Sequence, residues 1–185
     1  MRHPQRRGGP GIRYLIDRRD FIGASLGFLV WPFAGAARVE KSSPLSPAAL
    51  RALSESPYVY VSPLRSDGEE SRCHGEVWFD WIDGGVVVIT GADRWKARSV
   101  RRGLDRARIW VGDFGRWKEM LGKNESFRSG PSFDARAEFV EDVRVLDRLL
   151  NRFDEKYPAE IGEWRDRMRS GFADGSRVLI RYRPL

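Results

Sequence analysis

Glu76-Val77-Trp78-Phe79-Asp80-Trp81-Ile82-Asp83-Gly84-Gly85-Val86-Val87-Val88-Ile89-Thr90 holds two strand-like arms around an Asp-Gly-Gly turn. Aromatic and β-branched residues dominate both arms, which suits a pleated, half-buried surface. Asp-Gly is a hairpin signal, because the tight turn needs residues that tolerate positive φ. The second arm, Val86 to Thr90, is almost wholly apolar and predicts a strand buried on both faces.

Working outward, Tyr58-Val59-Tyr60-Val61-Ser62 reads as a further strand, and Asp67-Gly68 as a turn after it. Downstream, a short helix is expected over residues 94–102, closed by Gly103. Ala107 to Gly112 reads as a strand. Residues 113–131 are polar and glycine-rich and give no clear element. Phe133 to Val140 alternates with period two and predicts a half-buried strand. Val143, Leu146, Leu149, Leu150 and Phe153 recur at helical spacing. Pro158 separates that helix from one carrying Ile161, Trp164 and Met168. Asp174-Gly175 turns into a last strand, Ser176 to Tyr182. Upstream, Ser46-Pro47 is a helix start and opens a short helix to about Ser54. The expected fold class is mainly β (α+β): a split β-barrel of about six strands with peripheral short helices. Helices do not alternate with strands, and no Gly-x-Gly-x-x-Gly opens one, which argues against a parallel βαβ array.

The chain has 185 residues, 33 basic and 26 acidic, net +7, and is 41% hydrophobic. That suits one folded domain and not a disordered chain. Residues 1–36 stand apart. Six arginines among residues 1–20 precede an apolar run from Phe21 to Phe33, and Ala34-Gly35-Ala36 follows as a small-x-small cleavage pattern. Arg18-Arg19-Asp20-Phe21-Ile22 resembles the twin-arginine export motif. The run is too short and glycine-rich for a stable membrane span. Residues 1–36 are therefore expected to be a twin-arginine signal, 37–56 a linker with a short helix, and 57–185 the folded domain, exported to the periplasm or beyond. Removing the signal takes six of the 33 basic and two of the 26 acidic residues, leaving 27 against 24 over 149 residues, net +3. Most of the basicity is then targeting, and a nucleic-acid partner loses its electrostatic basis.

Chemistry-bearing residues are few. Cys73 is the only cysteine, and His74 the only histidine outside the signal, so neither a disulfide framework nor a histidine-based triad can be assembled. Cys73 is expected to be a buried thiol, and His74 a hydrogen-bonded histidine, although both stand beside Arg72. The tryptophans are expected in the core or at an interface. One segment has the character of an anion site, Thr90-Gly91-Ala92-Asp93-Arg94-Trp95-Lys96-Ala97-Arg98. A buried strand ends in a hydroxyl residue, Asp93 is placed to cap a helix, and helix N–H groups with Lys96 suit a phosphate. An ordinary capped helix with a solvated basic face fits the same residues. Trp95 is the candidate for stacking on a ligand ring.

From Tyr58 to Tyr182 the order of motifs resembles the pyridoxamine 5'-phosphate oxidase-like split-barrel flavoproteins. The resemblance rests on Tyr58 to Ser62 with its Asp-Gly hairpin, and on Thr90 followed by Trp95-Lys96-Ala97-Arg98 and Arg101-Arg102-Gly103-Leu104. It continues in Ala135 to Val140 and in Lys156-Tyr157-Pro158 with the closing Arg181-Tyr182-Arg183-Pro184. Each motif is weak alone; order and spacing carry the match over about 125 residues. The resemblance implies a homodimer with flavin mononucleotide (FMN), or a deazaflavin, at the subunit interface. It implies phosphate contacts from Thr90 and Lys96, with Arg98 close behind and Arg72 a weaker match. The chain departs from the family at Arg72-Cys73-His74-Gly75-Glu76. Two functions follow as expectations: an exported flavin-dependent oxidoreductase acting on a small molecule, or a non-catalytic barrel holding a flavin-like or haem-like ligand.

Overall fold

The computed structural model describes residues 45–114 and 125–185; the expected export signal and Trp117 lie outside them. Ser46 caps the first helix, α1 (Pro47–Glu55), its Oγ accepting the Ala49 N–H at 3.1 Å, with Pro47 at the first position. Seven strands follow: β1 (Tyr58–Pro63), β2 (Gly75–Trp78), β3 (Asp80–Ile82), β4 (Gly85–Gly91), β5 (Arg106–Val111), β6 (Ser132–Val140) and β7 (Arg177–Pro184). Helix α2 (Trp95–Arg101) lies between β4 and β5, and helices α3 (Val143–Lys156) and α4 (Ile161–Ala173) lie between β6 and β7. A 3₁₀ turn, Ser126–Ser129, falls within the stretch that the sequence left without an element.

All pairings between the strands are antiparallel, and the sheet runs β2-β1-β5-β6-β7-β4-β3. Its two edges, β2 and β3, are separated in the chain by Phe79 alone. A sheet whose opposite edges are one residue apart has to curl until they meet. The fold is the expected split barrel, mainly β, with short helices outside it. The strand expected over residues 76–81 is corrected to two, giving seven strands where about six were expected. At Phe79 the chain leaves one sheet edge and joins the other. Its N–H donates to the Tyr157 hydroxyl at 3.2 Å, and its carbonyl accepts from Lys156 Nζ at 3.1 Å. The end of α3 thus replaces the sheet bonds that the break removes, as buried backbone groups require. The Phe79 side chain is fully buried.

The turn between β3 and β4 is the expected Asp-Gly hairpin, with Asp83 at φ 52° and Gly84 at φ 77°. Strand β4 is buried on both faces, as its composition predicts. Val86 and Val88 face the barrel interior with Val59, Val61, Ile109 and Ile180, while Val87 and Ile89 face the outer core under α3. Helix α3 covers that side with Val145, Leu146, Leu149, Leu150 and Phe153. Val143, expected on this apolar face, is instead 52% exposed, because it is the first residue after the Asp142 cap. In α4, Ile161 and Met168 are buried, but Trp164 lies at the surface between the guanidiniums of Arg167 and Arg177. No helix among the described residues is long and apolar enough to cross a membrane.

Candidate functional site

Where β4 runs out of the barrel it meets β2 and α2. Alternation places Thr90 on the interior side with Val86 and Val88, and Gly75 on the interior side with Val77. Thr90 is nearly buried, at 8% exposure. Helix α2 then turns Trp95 onto the barrel core and Lys96 over the Trp95 ring, Nζ 4.6 Å from its centroid. A methyl group on Gly75 would lie 3.0 Å from Lys96 Nζ and 3.4 Å from the Trp95 ring, so the backbone of β2 approaches both side chains closely. Lys96 has no carboxylate within ion-pairing distance and no hydrogen-bond partner among the described residues. Burial, and secondarily the charge on Arg94, push its ammonium down to about 8.

Two sequence candidates are not drawn into this cluster. Arg98 points from α2 to solvent, and Arg72 is exposed in the loop before β2; no ion pair forms at either among the described residues. The expected cap is corrected as well. Arg94, not Asp93, occupies the cap position of α2, and no side-chain hydrogen bond closes it. Asp93 packs instead against Gly91, where an added methyl would meet its Oδ1 at 2.8 Å. With seven residues and no capping side chain, α2 offers its lysine more than its terminus.

Cys73 is exposed, not buried, because the Ser71 hydroxyl bonds to the Cys73 backbone and holds the chain in a surface turn. The hydrogen-bonded histidine expected at position 74 is also corrected. The His74 ring packs against Phe127, centroids 4.9 Å apart, and both ring nitrogens are buried without a partner among the described residues. Alongside it Tyr60 stacks on Phe127 at 4.9 Å and meets Glu76. Burial, the largest cause, pushes the Tyr60 phenol up to about 12.

Free volume lies elsewhere. Beside Trp95 and Lys96 the enclosed space is only about 10 Å³. A groove of about 880 Å³ opens instead between α1, β3 and α3, lined by Leu50, Leu53, Trp81, Ile82, Arg152 and Lys156 among others, and by none of the five sequence candidates. Cavity size and chemistry therefore disagree about the site. Chemistry decides for Lys96, which makes no hydrogen bond or ion pair among the described residues, whereas Lys156 in the groove donates to the Phe79 carbonyl and lies near the Asp80 carboxylate. The sequence reading missed the groove; Lys156-Tyr157-Pro158, singled out for another reason, was the only signal near it.

No protein-family model and no curated protein matches the chain. Among solved structures it is similar to the heme storage protein HutZ from Vibrio cholerae, at 17% identity and TM-score 0.49, covering 76% of this chain and 90% of that one. It is similar to a conserved hypothetical protein from Mycobacterium tuberculosis, at 21% identity and TM-score 0.48, covering 75% and 81%. A third is a FAD-binding protein from Mesorhizobium loti, at 13% identity and TM-score 0.45, covering 74% and 86%. At these identities and scores the likeness stops at the course of the chain.

Proposed function

We propose that this chain is an exported flavin-binding split-barrel protein that takes FMN or a deazaflavin against α2, with the phosphate on Lys96. One observation carries the reading: Lys96 is a half-buried ammonium with no anionic partner among the described residues. A phosphate oxygen there replaces the lost hydration with a charge-assisted hydrogen bond. The interior-facing Thr90 hydroxyl and the close backbone at Gly75 add polar contact, and Trp95 offers a ring face. A bound flavin supplies hydride-transfer chemistry; the residues here bind and orient it. The enclosed space beside Lys96, about 10 Å³, is far too small for a flavin ring. In this reading the second copy of a homodimer supplies the other wall. Light scattering at micromolar concentration tests that part, and a monomer overturns it. Export is tested by replacing Arg18 and Arg19 with Lys, which should keep the protein in the cytoplasm.

The binding test is titration of the cofactor-free protein with FMN, riboflavin and a deazaflavin. Charge-assisted contacts contribute roughly 1.5–3 kcal/mol each, so Lys96→Ala should weaken FMN binding about 10- to 100-fold. Riboflavin binding should barely change. Equal affinity for riboflavin and FMN in the wild type would remove the phosphate from Lys96. The pH dependence has a definite sign. Only the ammonium attracts phosphate, so FMN affinity should fall as pH rises through about 8, and Lys96→Arg should flatten that fall.

A further inference from the structure

Glu70 lies in the chain between β1 and β2, and the flavin reading gives it no role. Its side chain is only 10% exposed, and three donors converge on it. Arg108 Nη1 donates to Oε1 at 3.4 Å, Trp110 Nε1 donates to Oε2 at 3.3 Å, and Arg128 Nη1 donates to the same Oε2. Arg108 and Trp110 stand on β5, on the side away from the interior residues Ile109 and Val111, and Arg128 belongs to the 3₁₀ turn. Arg108 is held in turn by Asp134 of β6 at 2.8 Å. One carboxylate thus clamps the segment before β2 to β5 and to the 3₁₀ turn. Without its charge, two guanidiniums would be left beside each other in a largely buried place.

From this clamp the chain runs to Lys96 with little slack. Glu70 bridges to Leu64, the Ser71 N–H donates to the Pro63 carbonyl at 2.8 Å, and the Ser71 hydroxyl bonds to the Cys73 backbone. The His74 ring then packs on Phe127, the neighbour of Arg128 in the 3₁₀ turn. Gly75 follows, and a methyl group there would lie 3.0 Å from Lys96 Nζ. Gly75 is the first residue of β2, an edge strand of four residues paired with β1. The ends of such strands open most readily. Where Gly75 sits over Lys96 is therefore decided by the segment that precedes it.

We infer that Glu70 is a positioning residue for Lys96: by clamping the chain ahead of β2 it keeps the Gly75 backbone over the ammonium and water away from it. Glu70 touches neither Lys96 nor the proposed phosphate, and acts through the segment between them. Its consequence for FMN rests on the flavin reading; its effect on Lys96 itself does not.

The test is an NMR titration of the whole protein labelled with ¹³C-lysine, in the wild type and in Glu70→Gln, which keeps the shape and removes the charge. In the variant, water reaches Lys96, and its midpoint should move up from about 8 by about 1 pH unit or more. Lys156 is the internal control. It also titrates at about 8, contacts Phe79 and lies outside the clamp, so it should stay in place. Where Glu70→Gln does not fold, Arg128→Gln removes one arm of the clamp and should move Lys96 in the same direction by less. A Lys96 midpoint that stays at about 8 overturns the inference. So does an equal rise at Lys96 and Lys156, which marks a general loosening of the fold. With FMN, the pH at which affinity falls should rise together with the Lys96 midpoint. The titration is read without ligand, so a wild type that binds no FMN removes the flavin reading and leaves this result standing.

Discussion

Lys96 and Lys156 are chemically alike and differently employed. Burial, the largest cause, pushes each ammonium down to about 8, and each lies over an aromatic ring. Lys156 gives one N–H to the Phe79 carbonyl, and the carboxylate of Asp80 nearby partly restores its charge. Among the described residues Lys96 makes no hydrogen bond or ion pair, and beyond the Trp95 ring beneath it the charge it feels is the like charge of Arg94. The first lysine helps to close the barrel. The second stores an unmet electrostatic demand, which is the condition in which a protein keeps a site ready for a ligand. Depressed basicity alone does not distinguish the two; the hydrogen-bond inventory does.

The comparison can be broken at its structural end. Phe79→Ala removes a fully buried ring from the junction of β2 and β3, together with the surface on which Lys156 lies. A loss of about 3–5 kcal/mol is expected, measured by denaturant unfolding; a loss under about 1 kcal/mol would show that the junction is not a packing centre.

Tyr157→Phe acts on the same junction with less force. The hydroxyl accepts the Phe79 N–H and donates to the Pro57 carbonyl. Without it both groups are left short of a partner, at a cost of about 1–3 kcal/mol. Burial holds this phenol above its ordinary range, so the effect should not vary between pH 6 and about 9.

The paired variants Lys156→Met and Lys96→Met sharpen the contrast itself. Lys156→Met should destabilise by about 1 kcal/mol, since the Phe79 carbonyl loses a donor. Lys96→Met should be neutral or stabilising at pH 7, because it removes a desolvated charge that nothing compensates. The sign with pH follows from linkage. Both lysines bind protons less tightly folded than unfolded, so between about 8 and the ordinary lysine value the unfolded chain carries more protons. Wild-type stability should therefore rise with pH across that window, and each Met variant should lose part of the rise. Equal effects of the two substitutions at pH 7 would erase the distinction drawn here.

How much of this was legible in the chain depends on the distance over which each feature is decided. The hairpin over residues 76–90 was readable because Asp83-Gly84 and the Val86–Ile89 run decide it locally. The break at Phe79 was not, since its partner hydroxyl is 78 residues away. A cation at Lys96 was readable; its isolation was not, because that depends on how closely β2 comes to α2 at Gly75. Cys73 and His74 defied expectation together: one serine turn carries the thiol outward, and Phe127 covers the imidazole without offering it a bond. The groove is assembled from residues 50–57, 80–83 and 148–156, three segments that no local pattern links.

The position of β7 governs when the fold can exist. It is the last strand in chain order, yet it pairs with β6 on one side and β4 on the other, near the middle of the sheet. Until residues 177–184 have been synthesised, the sheet is two separate ribbons, β2-β1-β5-β6 and β4-β3, joined through the chain at Phe79 and through the segment that carries α2. Domains made N-terminus first usually gain structure as they emerge; this one holds both ribbons open until its closing strand arrives. Maturation is then a single late event, and a chain stopped short of that strand would present two raw sheet margins to whatever it met first.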